Sequence, residues 1–319
     1  MSNVVIHPET LKDGFTQSEI NTLSTCPTKW YLRYNLRLDP PSSDFTFAIG
    51  SAWHAFKEER GKSEGKKFSK LELLFCKDAN LSQDDMAYKE FVEGWLMVLA
   101  EEYNLFYKDD FTLGHYELEG VEEIADLTVN FEGVKIRLTG RIDEIGRMWK
   151  HKTIADAKTV SSFSGTTAGW DWRFQFMFYI WLQHQIQPND KATQFMVDAA
   201  RKPSIKLKGG ETRFQFLNRL RNDIKADPTK YFVRERFMLT KNKLESFETN
   251  TLALQLRKLK YISDPKTPKE LLELLVLERR TNECMNPITG RQCEFFNICE
   301  RGATPKEFKT RTHKHSELQ

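Results

Sequence analysis

An acid and an ammonium group one residue apart stand at Asp156-Ala157-Lys158, within the stretch Met148 to Val160 that reads as a strand. Alternate side chains of a strand share a face, so Asp156 and Lys158 project to the same side, about 7 Å apart along the backbone. A carboxylate in that position can hold a divalent cation. An ammonium beside it can orient or deprotonate water and offset the charge of a phosphate. Hydrolysis of a phosphodiester needs this combination. The spacing alone says little, because acid-x-Lys also occurs at Glu64/Lys66, Asp223/Lys225, Asp264/Lys266 and Glu307/Lys309, where solvated surface charge explains it. Context separates the first pair from the rest. A preceding strand ends Thr139-Gly140-Arg141-Ile142-Asp143-Glu144, and a short antiparallel connection brings Asp143 towards Asp156. Two such carboxylates repel unless a proton or cation sits between them.

Two further groups can join them. His54 follows Gly50-Ser51-Ala52-Trp53, where Ser51 reads as a helix N-cap and His54 falls about one turn into the helix. A lone helix histidine is commonly a surface or core residue, but an imidazole added to two carboxylates makes a mixed N/O site suited to manganese. Gln175 and Tyr179 stand four apart on a helix otherwise filled with Trp172, Phe174, Phe176, Met177, Phe178, Ile180 and Trp181. They either hydrogen-bond at the helix boundary or face the metal site.

The chain has 5 cysteines. Cys284, Cys293 and Cys299 fall close together, Cys26 is remote, and Cys76 has no companion. In a reducing compartment such residues read better as ligands than as disulfides. Four thiolates suffice for a tetrahedral zinc ion or an iron–sulfur cluster, and their spacing does not choose between the two.

The elements that must carry these groups follow from periodicity. Helical patterns cover two short segments divided at Pro27, then Asp84 to Tyr107, Trp170 to Gln185, Phe214 to Ala226 and Leu244 to Ile262. Strand patterns begin near Tyr116. A hairpin turns at Glu132-Gly133, two strands (Leu138 to Ile145, Met148 to Val160) join at Gly146-Arg147, and another strand spans Thr193 to Asp198. Helices, an antiparallel meander, a long helix, a further strand and more helices make an α+β or mixed-sheet α/β fold, not a regular alternation of parallel units. With 39% hydrophobic and 29% charged residues the composition is that of a soluble globular protein. No run approaches transmembrane length and the first twenty residues lack a signal-peptide core, so a cytoplasmic location is expected. The formal net charge of +3 is a weak pointer to an acidic partner. The local clusters Lys150-His151-Lys152, Arg173, Arg201-Lys202, Lys206 and Lys208 are more informative candidates for phosphate contacts.

Taken in order, Gly-x-x-x-His (Gly50 to His54), Gly-x-x-Asp (Gly140 to Asp143), Asp-x-Lys (Asp156 to Lys158) and Gln-x-x-x-Tyr (Gln175 to Tyr179) resemble the RecB-type branch of the PD-(D/E)XK nuclease superfamily. Ser18-Glu19-Ile20-Asn21 through Cys26-Pro27-Thr28-Lys29-Trp30-Tyr31 resembles the opening of these enzymes, so the likeness spans about residues 16 to 301. The resemblance implies a mixed sheet flanked by helices with a metal site at one sheet edge. It implies Mg²⁺ or Mn²⁺ held by His54, Asp143, Asp156 and the backbone carbonyl of Ala157, with Lys158 as the catalytic lysine. Gln175 and Tyr179 would support substrate and active-site geometry. The substrate would be DNA, single-stranded or with free ends, cut by an exonuclease in a bacterial or phage-infected cell, with a helicase or recombination partner and no membrane. Iron–sulfur relatives, including AddB-type and CRISPR-associated exonucleases, carry one cysteine before the core and three after it. That implies a structural [4Fe-4S] cluster on Cys26, Cys284, Cys293 and Cys299, here spaced Cys-x8-Cys-x5-Cys where the commoner form has a tighter first pair.

One nuclease domain is therefore expected over residues 1–301. Its core would span about 45–200, its cluster-binding segments about 16–34 and 280–301, and 302–319 would form a basic, flexible tail. Two rival readings differ in kind. A nuclease-like DNA-binding subunit would have lost cleavage or depend on a partner, although a complete His/Asp/Asp/Lys set has no use in a protein that does not cut. A zinc-stabilised DNA-binding protein would use Asp156 and Lys158 only structurally.

Overall fold

The computed structural model describes residues 4–39, 45–74, 82–113, 115–163, 173–278, 284–285, 292–301, 308–311 and 314–315. The chain opens with α1 (Pro8–Lys12), α2 (Gln17–Thr25) and α3 (Pro27–Trp30), the last running into a π-helical turn (Tyr31–Asn35). Thr16 caps α2 by accepting from the Glu19 amide, and Cys26 ends that helix in extended backbone before Pro27 begins the next. A two-residue strand β1 (Leu38–Asp39) leads towards α4 (Phe45–Lys62), followed by α5 (Gln83–Phe106) and α6 (Asp109–Thr112). Ser82 and Asp85 form a capping box at the start of α5. The expected N-cap at Ser51 is not one. α4 already runs from Phe45, so Gly50-Ser51 lies inside the helix and His54 sits more than two turns along it.

Three strands then form a meander: β2 (Tyr116–Phe131), β3 (Val134–Met148) and β4 (His151–Val160). Glu132 and Gly133, at φ 48° and 85°, make the expected two-residue turn, and Phe131 pairs with Val134 across it. The expected break at Gly146-Arg147 is absent. β3 continues to Met148 and turns at Trp149-Lys150, with φ 52° and 70°. Gly146 marks close strand approach rather than a turn, because a Cβ there would stand 2.5 Å from the carbonyl oxygen of Glu117 on β2. The β2–β3 register slips at this place, between Leu118 and Gly120.

α7 (Phe174–Ile186) carries the chain across the sheet to β5 (Gln194–Arg201), which lies parallel to β4. α8 (Arg213–Ala226) then leads to β6 (Phe232–Met238), antiparallel to β5. The result is a five-stranded mixed sheet in the order β2-β3-β4-β5-β6 with helices on both faces, the mixed α/β architecture expected. One face buries Ile154, Val160, Val197 and Ala199 against α2, α3 and α7, with Leu252, Leu256 and Leu259 from the helical region after β6. The other buries Ala157 and Ala200 against Trp53 and Phe56 of α4, Leu96 and Tyr103 of α5, and Phe216 and Leu220 of α8.

The helical stretch expected over Leu244 to Ile262 is α9 (Lys241–Ser246), a π-helical segment (Phe247–Leu252) and α10 (Ala253–Ser263). α11 (Lys269–Leu277) and α12 (Phe296–Arg301) complete the helices, and β7 (Lys309–Thr310) pairs with β1. Of the described residues of 302–319, expected as a basic, flexible tail, Lys309–Thr310 pair with β1, and Phe308, Arg311, Lys314 and His315 are at least partly buried. Lys314 and His315 are buried, and Lys314 Nζ lies 2.9 Å from Oε1 of the buried Glu19 while donating to the carbonyls of Thr10 and Gly14. A buried carboxylate at Glu19 is what draws the cation in. Trp170 to Trp172, read as the start of α7, and Cys76 lie outside the described residues.

Candidate active site

The antiparallel pairing of β3 and β4 is recorded from Met148/His151 to Glu144/Ala155. Asp143 is the next residue of β3, opposite Asp156. The two strands are tied there by a side chain, since the Ala157 amide donates to Asp143 Oδ2 at 2.9 Å. Asp156 and Lys158 share a face as the strand period requires, and Lys158 Nζ lies 2.6 Å from Asp156 Oδ2. α7 delivers Gln175, whose Nε2 donates to Asp156 Oδ1 at 2.8 Å. One turn on, Tyr179 occupies the space above Gly140, where a Cβ would come within 2.8 Å of ring atom Cε1. α4 delivers His54, whose Nδ1 lies 3.2 Å from Asp143 Oδ2. Residues from four distant segments thus converge on the inner strands β3 and β4 of the sheet.

One member of the site was not visible in the sequence. Glu122 of β2 joins His54 and Asp143 in a trio whose ligand atoms all lie within 4.8 Å of one another. This is the spacing a single cation needs. Asp156, expected as the third ligand, is turned instead to Lys158 and Gln175. Glu122 has φ 54°, a left-handed backbone beside the β2 irregularity, and Arg141 Nε stands 2.5 Å from its Oε2. A bulge re-aims a strand side chain, and no residue pattern announces it. Glu122 sits in a run of acids and alternating apolar residues that reads as an ordinary exposed strand face.

The electrostatics fit a cation. Burial lifts the Asp156 carboxyl above the ordinary carboxylate range and Asp143 adds to the lift, while Lys158 opposes it. Burial also lifts Glu122, to about 7, with Asp143 adding and Arg141 opposing. Burial acts on Asp143 too, but His54, Lys158 and the Ala157 amide outweigh it and hold this carboxyl low. Burial disfavours a charged His54, yet Asp143 raises its pKa overall. Asp156 Oδ2 and Glu122 Oε2 are shut off from water with a cation beside each but no well-formed hydrogen bond. Crowded, under-satisfied carboxylate oxygens beside an imidazole are a donor set for Mg²⁺ or Mn²⁺.

Behind the site lies a buried charge network that sequence reasoning also missed. Lys57, one turn after His54, reaches Glu144 Oε1 at 3.1 Å, Asp198 Oδ2 at 2.7 Å and the Tyr103 hydroxyl at 2.7 Å. Arg234 bonds Asp198 at 3.1 Å and Asp110 at 2.7 Å, and Arg60 reaches Asp110 at 3.1 Å. The network fastens α4, which carries His54, to β3, β5 and β6. The i, i+3 spacing of His54 and Lys57 is the one signal that could have suggested it.

The basic candidates fare differently. Lys150 is exposed at the β3–β4 turn and Arg173 is exposed at the N-cap of α7. Lys152 is corrected: it is 5% exposed and ion-paired with Glu119 and with Asp190, the latter at 2.8 Å. Its neighbours Glu119 and Asp190 neutralise it and tie β4 to its surroundings.

The four cysteines converge at a second place. Cys26, Cys284, Cys293 and Cys299 line one pocket with Thr28, Lys29, Phe295 and Phe296, and all four are thiols. The Cys293 amide donates to the Cys284 carbonyl at 2.9 Å, and Arg33 bonds Glu294 at 2.6 Å, which draws the C-terminal segment against the π-helical turn after α3. Burial pushes the Cys293 thiol up. Four sulfurs around an apolar enclosure can hold one tetrahedral ion or one cluster.

Against this geometry, the profile of the PD-(D/E)XK nuclease superfamily matches residues 14–300. Among solved structures, a protein from Eubacterium rectale named "putative exonuclease" is similar at 12% identity and TM-score 0.48, over 95% of each chain. SSO0001 is similar at 13% identity and TM-score 0.33, over 78% of this chain and 96% of that one. No curated protein matches. Among the described residues no helix is long and apolar enough to cross a membrane. The family match spans nearly the whole chain and includes the convergent His54, Asp143, Asp156 and Lys158, so the chain belongs to the PD-(D/E)XK nuclease superfamily.

Proposed function

We propose that this nuclease is a metal-dependent DNA exonuclease of the RecB/AddB type, acting on single-stranded DNA or DNA ends. The observation that carries the reading is the meeting of His54, Glu122, Asp143, Asp156 and Lys158 in one place on the sheet. His54, Asp143 and Glu122 would hold one Mg²⁺ or Mn²⁺, and Asp156 and the Ala157 carbonyl would complete the set once Asp156 turned from Lys158 towards the ion. Bound there, the ion supplies Lewis-acid activation of the scissile phosphate and of water. The chain's own groups do the rest. Lys158 orients the attacking water and takes part in its deprotonation. Gln175 holds the Asp156 carboxylate in place through Oδ1, and Tyr179 seats α7 at the distance that lets Gln175 do so. Exposed Lys150 and Arg173 supply phosphate contacts.

The four-cysteine pocket is proposed to hold a structural [4Fe-4S] cluster joining the two ends of the chain. Closing a loop from Cys26 to Cys284 would stabilise the fold by about 5–6 kcal/mol in the chain-entropy view of cross-links. A brown protein absorbing near ~400 nm supports the cluster, and Cys293→Ala should then lower the Tm. A colourless protein containing zinc overturns it. A cytoplasmic location and a helicase or recombination partner belong to the same proposal.

The deciding assay gives purified protein end-labelled linear DNA and closed circular DNA with Mg²⁺ or Mn²⁺, beside Asp156→Ala. Release of end nucleotides from linear DNA alone, lost in Asp156→Ala, is the expected result. Cutting of circles removes the exonuclease reading, and undiminished cutting by Asp156→Ala removes the site.

A further inference from the structure

Arg141 is the one cation of the site that the proposed chemistry leaves without a task. On β3 it shares a face with Asp143, while Gly140 takes the opposite face against Tyr179 of α7. Its Nε stands 2.5 Å from Glu122 Oε2, and among the described residues Glu122 is its only carboxylate partner. The pair is imperfect, since Oε2 takes part in no well-formed hydrogen bond. A guanidinium has five donors, so one carboxylate oxygen uses little of its capacity. The Arg141 side chain is 32% exposed against 11% for Glu122, which places the guanidinium towards the open side of the site. The same Glu122 belongs to the trio with His54 and Asp143. A divalent cation and Arg141 therefore compete for one carboxylate.

The charges of the site show what a displaced Arg141 is for. Glu122, Asp143 and Asp156 face Arg141 and Lys158, so the fully ionised pocket has one negative charge in excess. Glu58, whose charge also reaches Glu122, is already matched by Lys62. A divalent cation turns the excess into one positive charge, and a phosphodiester carries one negative charge to meet it. Without Arg141 the metal-loaded pocket would be neutral before the phosphate arrived.

We propose that Arg141 is a metal-released phosphate clamp: it pairs with Glu122 until a divalent cation takes that carboxylate, and the freed guanidinium then binds a phosphate of the nucleic-acid strand at the site. This deepens the nuclease reading and rests on it. Arginine fits the task because its planar fork presents paired N–H groups to phosphate oxygens. The arrangement couples the two ligands, so that bound metal favours DNA and bound DNA favours metal.

The test measures the Kd of fluorescein-labelled oligothymidylate by polarisation, in Mn²⁺ and in EDTA, together with the rise in Tm that Mn²⁺ produces. All variants are made in a Lys158→Ala background, which keeps every carboxylate and slows cutting. Arg141→Gln should weaken binding in Mn²⁺ about ten-fold or more, the loss of one charge-assisted contact. It should change the Kd in EDTA far less and leave the Mn²⁺-induced rise in Tm as large or larger. Arg141→Lys should fall between, because it keeps the charge and loses the fork. A merely structural partner of Glu122 would change the Tm and leave the Kd in Mn²⁺ unmoved, and that result overturns the clamp. Equal weakening in Mn²⁺ and in EDTA overturns it too. Glu122→Gln should tighten DNA binding in EDTA, and by more than it does in an Arg141→Gln chain; equal effects in the two chains overturn the release from Glu122. If DNA binding shows the Arg141-dependent response to Mn²⁺ but the wild type never cuts, the cleavage reading falls and the clamp stands. If the wild type cuts and Arg141→Gln binds DNA in Mn²⁺ as its parent does, the clamp alone falls.

Discussion

The ring of Tyr179 fills the space that a side chain on Gly140 would need, with Cε1 2.8 Å from the Cβ position. Two residues that the sequence places 39 positions apart are thus matched in shape. Their contact seats α7 on β3 just before Asp143, and one turn back along α7 Gln175 reaches Asp156. Gly140→Ala is expected to cost about 1–3 kcal/mol, as overpacking does, and to lower kcat although it removes no polar group. Tyr179→Ala should relieve the clash. In urea unfolding, the double variant should be more stable than the sum of the single losses predicts, by at least about 0.5 kcal/mol. Strict additivity would show that the two do not press on each other.

Asp156 carries a built-in conflict between stability and function. Burial raises its carboxyl, so in the folded protein the ionised form is disfavoured, and this group's contribution to stability falls as pH rises through the ordinary carboxylate range. Asp156→Asn removes that cost and keeps an acceptor for Gln175. The variant should melt no lower than the wild type at neutral pH while cleavage is lost. Lys158→Ala should lower kcat about 10²- to 10⁴-fold. Mn²⁺ should raise the wild-type Tm and raise that of Asp156→Asn less, because only binding to the folded state stabilises it. A large drop in the Tm of Asp156→Asn would make this residue a structural one.

Metal affinity should depend on pH around neutrality. Glu122 is lifted to about 7, and Asp143 raises the pKa of His54. The cation needs an ionised Glu122 and a neutral His54, so protons compete with it. Raising the pH from about 6 to about 8 should lower the Mn²⁺ concentration for half-maximal cleavage. Glu122→Gln should weaken metal binding and flatten the pH dependence. A half-maximal concentration that does not move with pH in the wild type would leave Glu122 outside the site.

Much of this site was legible because strand and helix periods act locally. Asp156 and Lys158 had to share a face once β4 was a strand, and Gln175 and Tyr179 had to share one once α7 was a helix. What failed were inferences that needed partners. Gly146 looks like a turn residue until β2 is seen pressing its Glu117 carbonyl against it. Gly50-Ser51 looks like a helix start, yet α4 begins at Phe45. Lys152 looks like a phosphate contact until Glu119 and Asp190 close on it. Glu122 depends on a left-handed backbone inside β2 (φ 54°), which the residues around it do not announce. The buried partners of Lys57 come from β3, α5 and β5, so only tertiary structure assembles them.

That last group also sets the acid limit of the fold. Burial works to raise the Asp198 carboxyl, but Lys57 and Arg234 outweigh it and hold Asp198 far below the ordinary range. Burial likewise opposes the charge of Lys57, and Asp198 and Glu144 raise its pKa regardless. A depressed carboxyl contributes stability that is fully present above its unfolded value, about 3.9, and that drains away as pH falls towards the folded one. Asp198, Asp110 and Asp143 all lie on the depressed side, so the urea midpoint should hold down to about pH 4 and then drop steeply. Lys57→Met leaves Glu144 and Asp198 with less cationic compensation in a buried setting, which should cost about 3–5 kcal/mol and shift the acid transition to higher pH. Because Lys57 fastens α4 one turn beyond His54, the same variant should need more Mn²⁺ for half-maximal cleavage at a temperature where it is fully folded. Wild-type metal dependence in folded Lys57→Met would confine the network to stability and sever it from the placement of His54.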